Sequence, residues 1–73
     1  MILKTNDTPS FNISLELSVD CEAEIIELTV ITWDMKNNAV ERKNFSAGAF
    51  SAALLYFKEK ETEAAERKER ENG

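Results

Sequence analysis

Residues 11–20 alternate without exception: Phe11, Ile13, Leu15, Leu17 and Val19 are apolar, and Asn12, Ser14, Glu16, Ser18 and Asp20 are polar. Successive side chains of a strand point to opposite faces, so this run makes a strand with one buried and one exposed face. A helix would scatter the same five apolar residues around its whole circumference. The chain must therefore contain a sheet, and something must cover the apolar side of that sheet.

A second β-rich run spans residues 24–34 but is apolar on both sides. Ile26, Leu28 and Val30 lie on one face, and Ile25, Ile31 and Trp33 on the other. Such a strand belongs in the middle of a sheet. A tight turn centred on Cys21 and Glu22 would set Leu17 opposite Ile26, Leu15 opposite Leu28 and Ile13 opposite Val30. A second tight turn at Asn37-Asn38, residues that tolerate positive φ, would set Met35 opposite Val40, Trp33 opposite Arg42 and Val30 opposite Phe45. Both turns give the same apolar face, which predicts a three-stranded antiparallel meander with strands at about residues 11–20, 24–34 and 39–45.

The period then changes. Ser46 is a candidate N-cap, and Phe45 before it could pack on Phe50 as a hydrophobic staple. Phe50, Ala53, Leu54 and Phe57 follow helical i, i+3, i+4, i+7 spacing. The expected fold is α+β: a three-stranded meander followed by one long C-terminal helix, starting at residue 46, on one sheet face. Residues 58–71 are all strong helix formers except Thr62, but they carry no apolar stripe. The division expected is thus a compact body over residues 1–57 and a solvated helical extension over residues 58–73, frayed at its end.

Charge is unevenly placed. The 73 residues hold 9 Lys+Arg and 14 Asp+Glu, for a net charge of -5. No Lys or Arg stands between Thr5 and Met35, whereas the tail nearly cancels itself. An acidic body repels phosphate backbones and anionic lipid surfaces, so no direct nucleic-acid or membrane partner is expected, and a basic protein surface is the natural partner. No apolar run approaches the roughly 18 residues of a membrane span, and no leader-like stretch opens the chain. With its single Cys, this predicts a cytoplasmic protein.

Catalysis is not expected. The chain has no His, the commonest general base. Cys21 lies between Asp20 and Glu22, whose charge disfavours the thiolate that nucleophilic chemistry needs. The carboxylates match no metal-binding loop, and Gly48 is isolated, so no cofactor or metal is expected.

An interaction surface is the more informative expectation. Ile25, Ile31, Trp33, Met35, Val40 and Arg42 are placed together on the outer sheet face, with a cation–π pair between Trp33 and Arg42. Glu16, Asp20, Glu22, Glu24 and Glu27 form an acidic face, with Glu16 directly opposite Glu27. The expected function is a small acidic, non-catalytic protein-interaction module, homodimeric through the outer face or a sheet edge. The alternative is an inhibitor whose carboxylates imitate a row of phosphates and block a basic nucleic-acid-binding protein, as small phage anti-restriction or anti-CRISPR proteins do.

Overall fold

A computed structural model describes residues 1–72. Strands β1 (Ile2–Asp7), β2 (Phe11–Asp20), β3 (Ile25–Asp34) and β4 (Ala39–Ser46) form one antiparallel sheet in sequential order. A 3-10 turn, Ala47–Ala49, leads into helix α1 (Phe50–Asn72), which lies across one face. The fold is α+β with an antiparallel sheet and one C-terminal helix, but the sheet has four strands rather than three.

The additional strand, β1, has no apolar alternation of its own. Its pairing with β2 shifts register between Ile2 and Lys4, a bulge that bends this edge. Beyond Ile2 the pairing continues: Met1 donates its ammonium to Leu17 O at 2.9 Å, and Leu17 N donates to Met1 O at 2.8 Å. The connection to β2 is closed by Thr8, whose hydroxyl donates to Phe11 O at 2.8 Å and accepts from Phe11 N at 3.2 Å.

Both hairpin registers differ from the expected ones by two residues. Leu17 pairs with Leu28, Leu15 with Val30 and Ile13 with Thr32 on one side. Trp33 pairs with Val40, Ile31 with Arg42 and Leu28 with Phe45 on the other. The reason is the same in each hairpin: the loop has four residues rather than two. Asp20 opens the first loop, its Oδ1 accepting from the amides of Glu22 and Ala23, and Glu24 closes it at φ 54°. Asp34 opens the second, its Oδ1 accepting from the amide of Asn37, and Asn38 closes it at φ 52°. Because side chains repeat every two residues, a two-residue shift leaves every residue on its expected face.

The core consists of Phe11, Ile13, Leu15, Leu28 and Val30 from the sheet, with Ala53, Phe57 and Ala64 from the helix. Leu17, Phe45 and Tyr56 flank it. Ser46 is extended as a cap residue should be, but its side chain makes no cap hydrogen bond. The staple is also absent, since Phe45 tilts against Tyr56 at 5.7 Å while Phe50 is exposed.

The helix beyond Phe57 is packed, not solvated. Ala64 is 1% exposed, and the residues in register with it reach the sheet by polar contacts. Glu61 accepts from Lys4 Nζ at 3.5 Å and from Asn6 Nδ2 at 2.9 Å. Arg67 donates to Asp34 Oδ2 at 2.7 Å and lies 4.6 Å from the centre of the Phe11 ring. The compact body therefore extends at least to Arg67, not only to residue 57. A helical stripe of Lys60, Glu61, Ala64 and Arg67 reads as polar but can span a sheet when its charged ends find partners. The helix continues to Asn72, and the fraying expected at residue 73 lies outside the described residues.

Candidate interaction surface

The helix covers one sheet face and leaves the other open. The register arranges the open face in rows across the strands. The first row is Asp7, Asn12, Trp33 and Val40; the second is Thr5, Ser14, Ile31 and Arg42. The third is Ile2, Glu16, Thr29 and Asn44; the fourth is Ser18, Glu27 and Ser46; the last is Asp20 and Ile25.

Trp33, Ile31 and Val40 meet at one end, with Trp33 44% exposed. A hollow of about 220 Å³ opens beside Trp33, lined by Asp7, Asn12, Ile13, Ser14 and Ile31. In the third row Thr29 donates its hydroxyl to Asn44 Oδ1 at 2.9 Å, so that part of the face is internally satisfied.

Of the expected surface, Ile31, Trp33, Val40 and Arg42 come together. Ile25 does not: eight residues of strand place it roughly 26 Å from Trp33. Met35 is half-buried in the β3–β4 loop, where its amide donates to Ser10 O at 3.0 Å. Arg42 faces Ile31 rather than Trp33, so the expected cation–π pair is not formed.

The acidic residues gather at the opposite end. Glu16 pairs with Thr29 and Glu27 with Ser18, so the two carboxylates are diagonal neighbours and not directly opposed. Glu16, Glu27 and Asp20 occupy three successive rows, about 6–7 Å apart along the strands. Glu22 and Glu24 extend the series into the exposed β2–β3 loop beside Cys21. Among the described residues, the side chains of Glu16, Glu22, Glu24 and Glu27 have no ion pair. No group of three or more His, Cys, Asp or Glu side chains among the described residues converges as a metal site.

A polar clasp stands on the helix side and was not foreseen. Asp34 Oδ2 accepts from Arg67 Nη1 and from Asn37 Nδ2, both at 2.7 Å, while Arg67 Nη2 donates to Glu63 Oε1 at 3.1 Å. The Arg67 guanidinium, then the Asn37 amide, hold the Asp34 carboxyl down at about 2. Only half of this clasp is local in sequence, the i,i+4 pair of Glu63 and Arg67. Its partner Asp34 is 33 residues away from Arg67, a separation that helix periodicity does not register. The clasp ties the last packed turn of α1 to the β3–β4 loop, and its charges are spent on one another.

No helix among the described residues is long and apolar enough to cross a membrane. No protein-family model, curated protein or solved structure matches this chain.

Proposed function

We propose that this protein is a small acidic, non-catalytic interaction module that pairs with a second copy through the open sheet face. The observation carrying this reading is the apolar cluster of the exposed Trp33 and Val40 with the half-buried Ile31, on a sheet covered on one side only. Aromatic residues and Arg are enriched at interface centres, and Arg42 borders the cluster here. A two-fold axis crossing the strands between the Trp33 and Ile31 rows would bury both clusters together. It would also send the two acidic ends in opposite directions, which avoids like-charge contact. The packing of the helix to Arg67 gives the monomer a larger core than residues 1–57 would supply, so the reading rests on the exposed cluster and not on a shortage of core. Light scattering tests it: the native chain should show twice its 8.3 kDa mass, and Trp33→Glu should reduce this to one chain. An unchanged mass on substitution refutes the assignment.

A second reading is supported by the unpaired acidic rows. Carboxylates about 6–7 Å apart on one face are spaced like phosphates of a nucleic-acid strand, so the same protein could occupy a basic nucleic-acid-binding surface. Competition with DNA for a basic protein, abolished by charge reversal at Glu16, Glu24 and Glu27, is the expected behaviour. Competition that survives the reversal removes this reading.

A further inference from the structure

Two cations stand without an acidic partner at the end of the molecule opposite the β2–β3 loop. Lys36 lies in the β3–β4 loop and Arg70 in the last turn of α1, and among the described residues neither takes part in an ion pair. A hollow of about 390 Å³ opens between them, lined by Lys36, Asn37, Glu63, Arg67 and Arg70. Small-molecule sites span about 300–1,000 Å³, so this one has the room. Both of its walls are held. Asn37 donates its amide and its Nδ2 to the Asp34 carboxylate at 3.2 and 2.7 Å, and Met35 N donates to Ser10 O at 3.0 Å, which fixes the loop on either side of Lys36. Arg67 is tied to the same carboxylate at 2.7 Å, and Arg70 follows it by one helical turn, about 5–6 Å away.

The charges around the hollow do not cancel. Asp34 and Glu63 are matched by Arg67 and Lys60, whose ammonium lies 3.3 Å from Glu63 Oε2. That group sums to zero, and the two positive charges of Lys36 and Arg70 remain. The C-terminal end of α1 offsets about half a charge of these, so the sign stays positive. Glu66 precedes Arg70 by one turn and competes for its guanidinium without reaching ion-pair distance. The acidic residues Asp20, Glu22 and Glu24 begin nine residues of β3 away from Asp34, about 30 Å, which is several Debye lengths of about 8 Å at physiological salt.

We infer that this hollow binds the phosphate of a small phosphorylated molecule. Arg70 would take phosphate oxygens in bidentate fashion, Lys36 would add a point charge from the loop side, and the second Nδ2 hydrogen of Asn37 would donate a neutral hydrogen bond. A phosphate monoester carries about 1.5 to 2 negative charges near neutral pH, which the two free cations match, whereas a lone carboxylate brings one. The hollow offers cations for one phosphate and not for a row of them, and the net charge of -5 repels a nucleic-acid polymer. The site lies on the helix side of the sheet, so it stands or falls independently of the Trp33 face.

The probe is inorganic diphosphate, titrated into the isotope-labelled full chain, with sodium chloride at matched ionic strength as the reference. Diphosphate should give saturable shifts at Lys36, Asn37 and Arg70 and in the Arg67 side chain, and adenosine monophosphate should shift the same residues. Lys36→Gln and Arg70→Gln, both at exposed positions, should each weaken binding by about fivefold, and together by about 25-fold if the two act independently. Glu66→Gln should tighten binding, and Trp33→Glu should leave it unchanged. The inference is overturned if chloride produces the same shifts, or if the shifts spread evenly over Lys58 and Lys68. It is also overturned if the double variant keeps its affinity, or if single-stranded DNA at equal phosphate concentration binds more tightly than adenosine monophosphate.

Discussion

Replacing Ala64 by Leu isolates the contribution of the charged half of the helix. Ala64 is 1% exposed and sits between Phe57 and Arg67 on the stripe facing the sheet, whereas its neighbour Ala65 is exposed. By the count that places Arg67 at Asp34, Ala64 lies nearly level with Ile13 and Thr32, both buried. A methyl group there lets the helix approach the sheet closely. Leu adds three carbon atoms where the surrounding side chains already fill the space, which costs about 1–3 kcal/mol by overpacking. In a domain of this size each kcal/mol moves the melting temperature by about 4–8 °C. Ala64→Leu should therefore melt roughly 4 to 24 °C lower than the native chain. Ala65→Leu carries the same small change in helix propensity but should shift stability by less than about 0.5 kcal/mol. Thermal and urea unfolding followed by circular dichroism measures both. Equal midpoints for the two variants would mean that residues 58–67 are not docked, and the packing argument would be wrong.

Other outcomes follow from single residues. The Asp34 carboxyl, held at about 2 by Arg67 and Asn37, stabilises the fold above the ordinary carboxylate range near 3.8. That stabilisation should disappear as pH falls from about 4 through 2, because the folded state then gives up its preference for the ionised form. In Arg67→Met the Asp34 titration followed by NMR should move up toward its ordinary value; an unmoved titration contradicts the clasp. Phe57→Ala removes a fully buried ring and should cost about 3–5 kcal/mol in urea unfolding, while the exposed Leu55→Ala stays within about 0.5. Glu24 holds φ 54° in the first hairpin, so Glu24→Gly should raise stability by about 0.5–1 kcal/mol. Glu22→Gly, in the same loop without positive φ, should lower it; a reversed order would contradict the four-residue turn.

Local periodicity carried much of this fold. The alternation of residues 11–20 and the double-faced run ending at Trp33 became β2 and β3 within a residue, because the side-chain period and the burial of one face leave no other solution. Features set by partners distant in sequence were illegible. Strand β1 is defined by what Phe11–Asp20 offers its edge, not by the pattern of residues 2–7. Ala64 is buried because Glu61 and Arg67 find Asn6 and Asp34 across the sheet, and a charged stripe gives no sign of that. The open face was anticipated at Ile31, Trp33, Val40 and Arg42 because parity survives a two-residue register shift. The neighbours within it were not, since Arg42 facing Ile31 depends on whether the loop holds two residues or four. Val19 and Ile26 are exposed for a related reason: alternation assigns them to the covered face, but the length of the cover is a property of the assembled molecule.

The homodimer proposal has an internal reporter, because Trp33 is the only tryptophan in the chain. The direct measurement is its emission spectrum across a dilution series, recorded alongside the light-scattering mass. The proposal predicts a shift of emission to longer wavelength as the mass falls from two chains to one, with the same midpoint concentration for both signals. A mass of 8.3 kDa at every concentration, or a mass that halves while the Trp33 emission stays fixed, contradicts it.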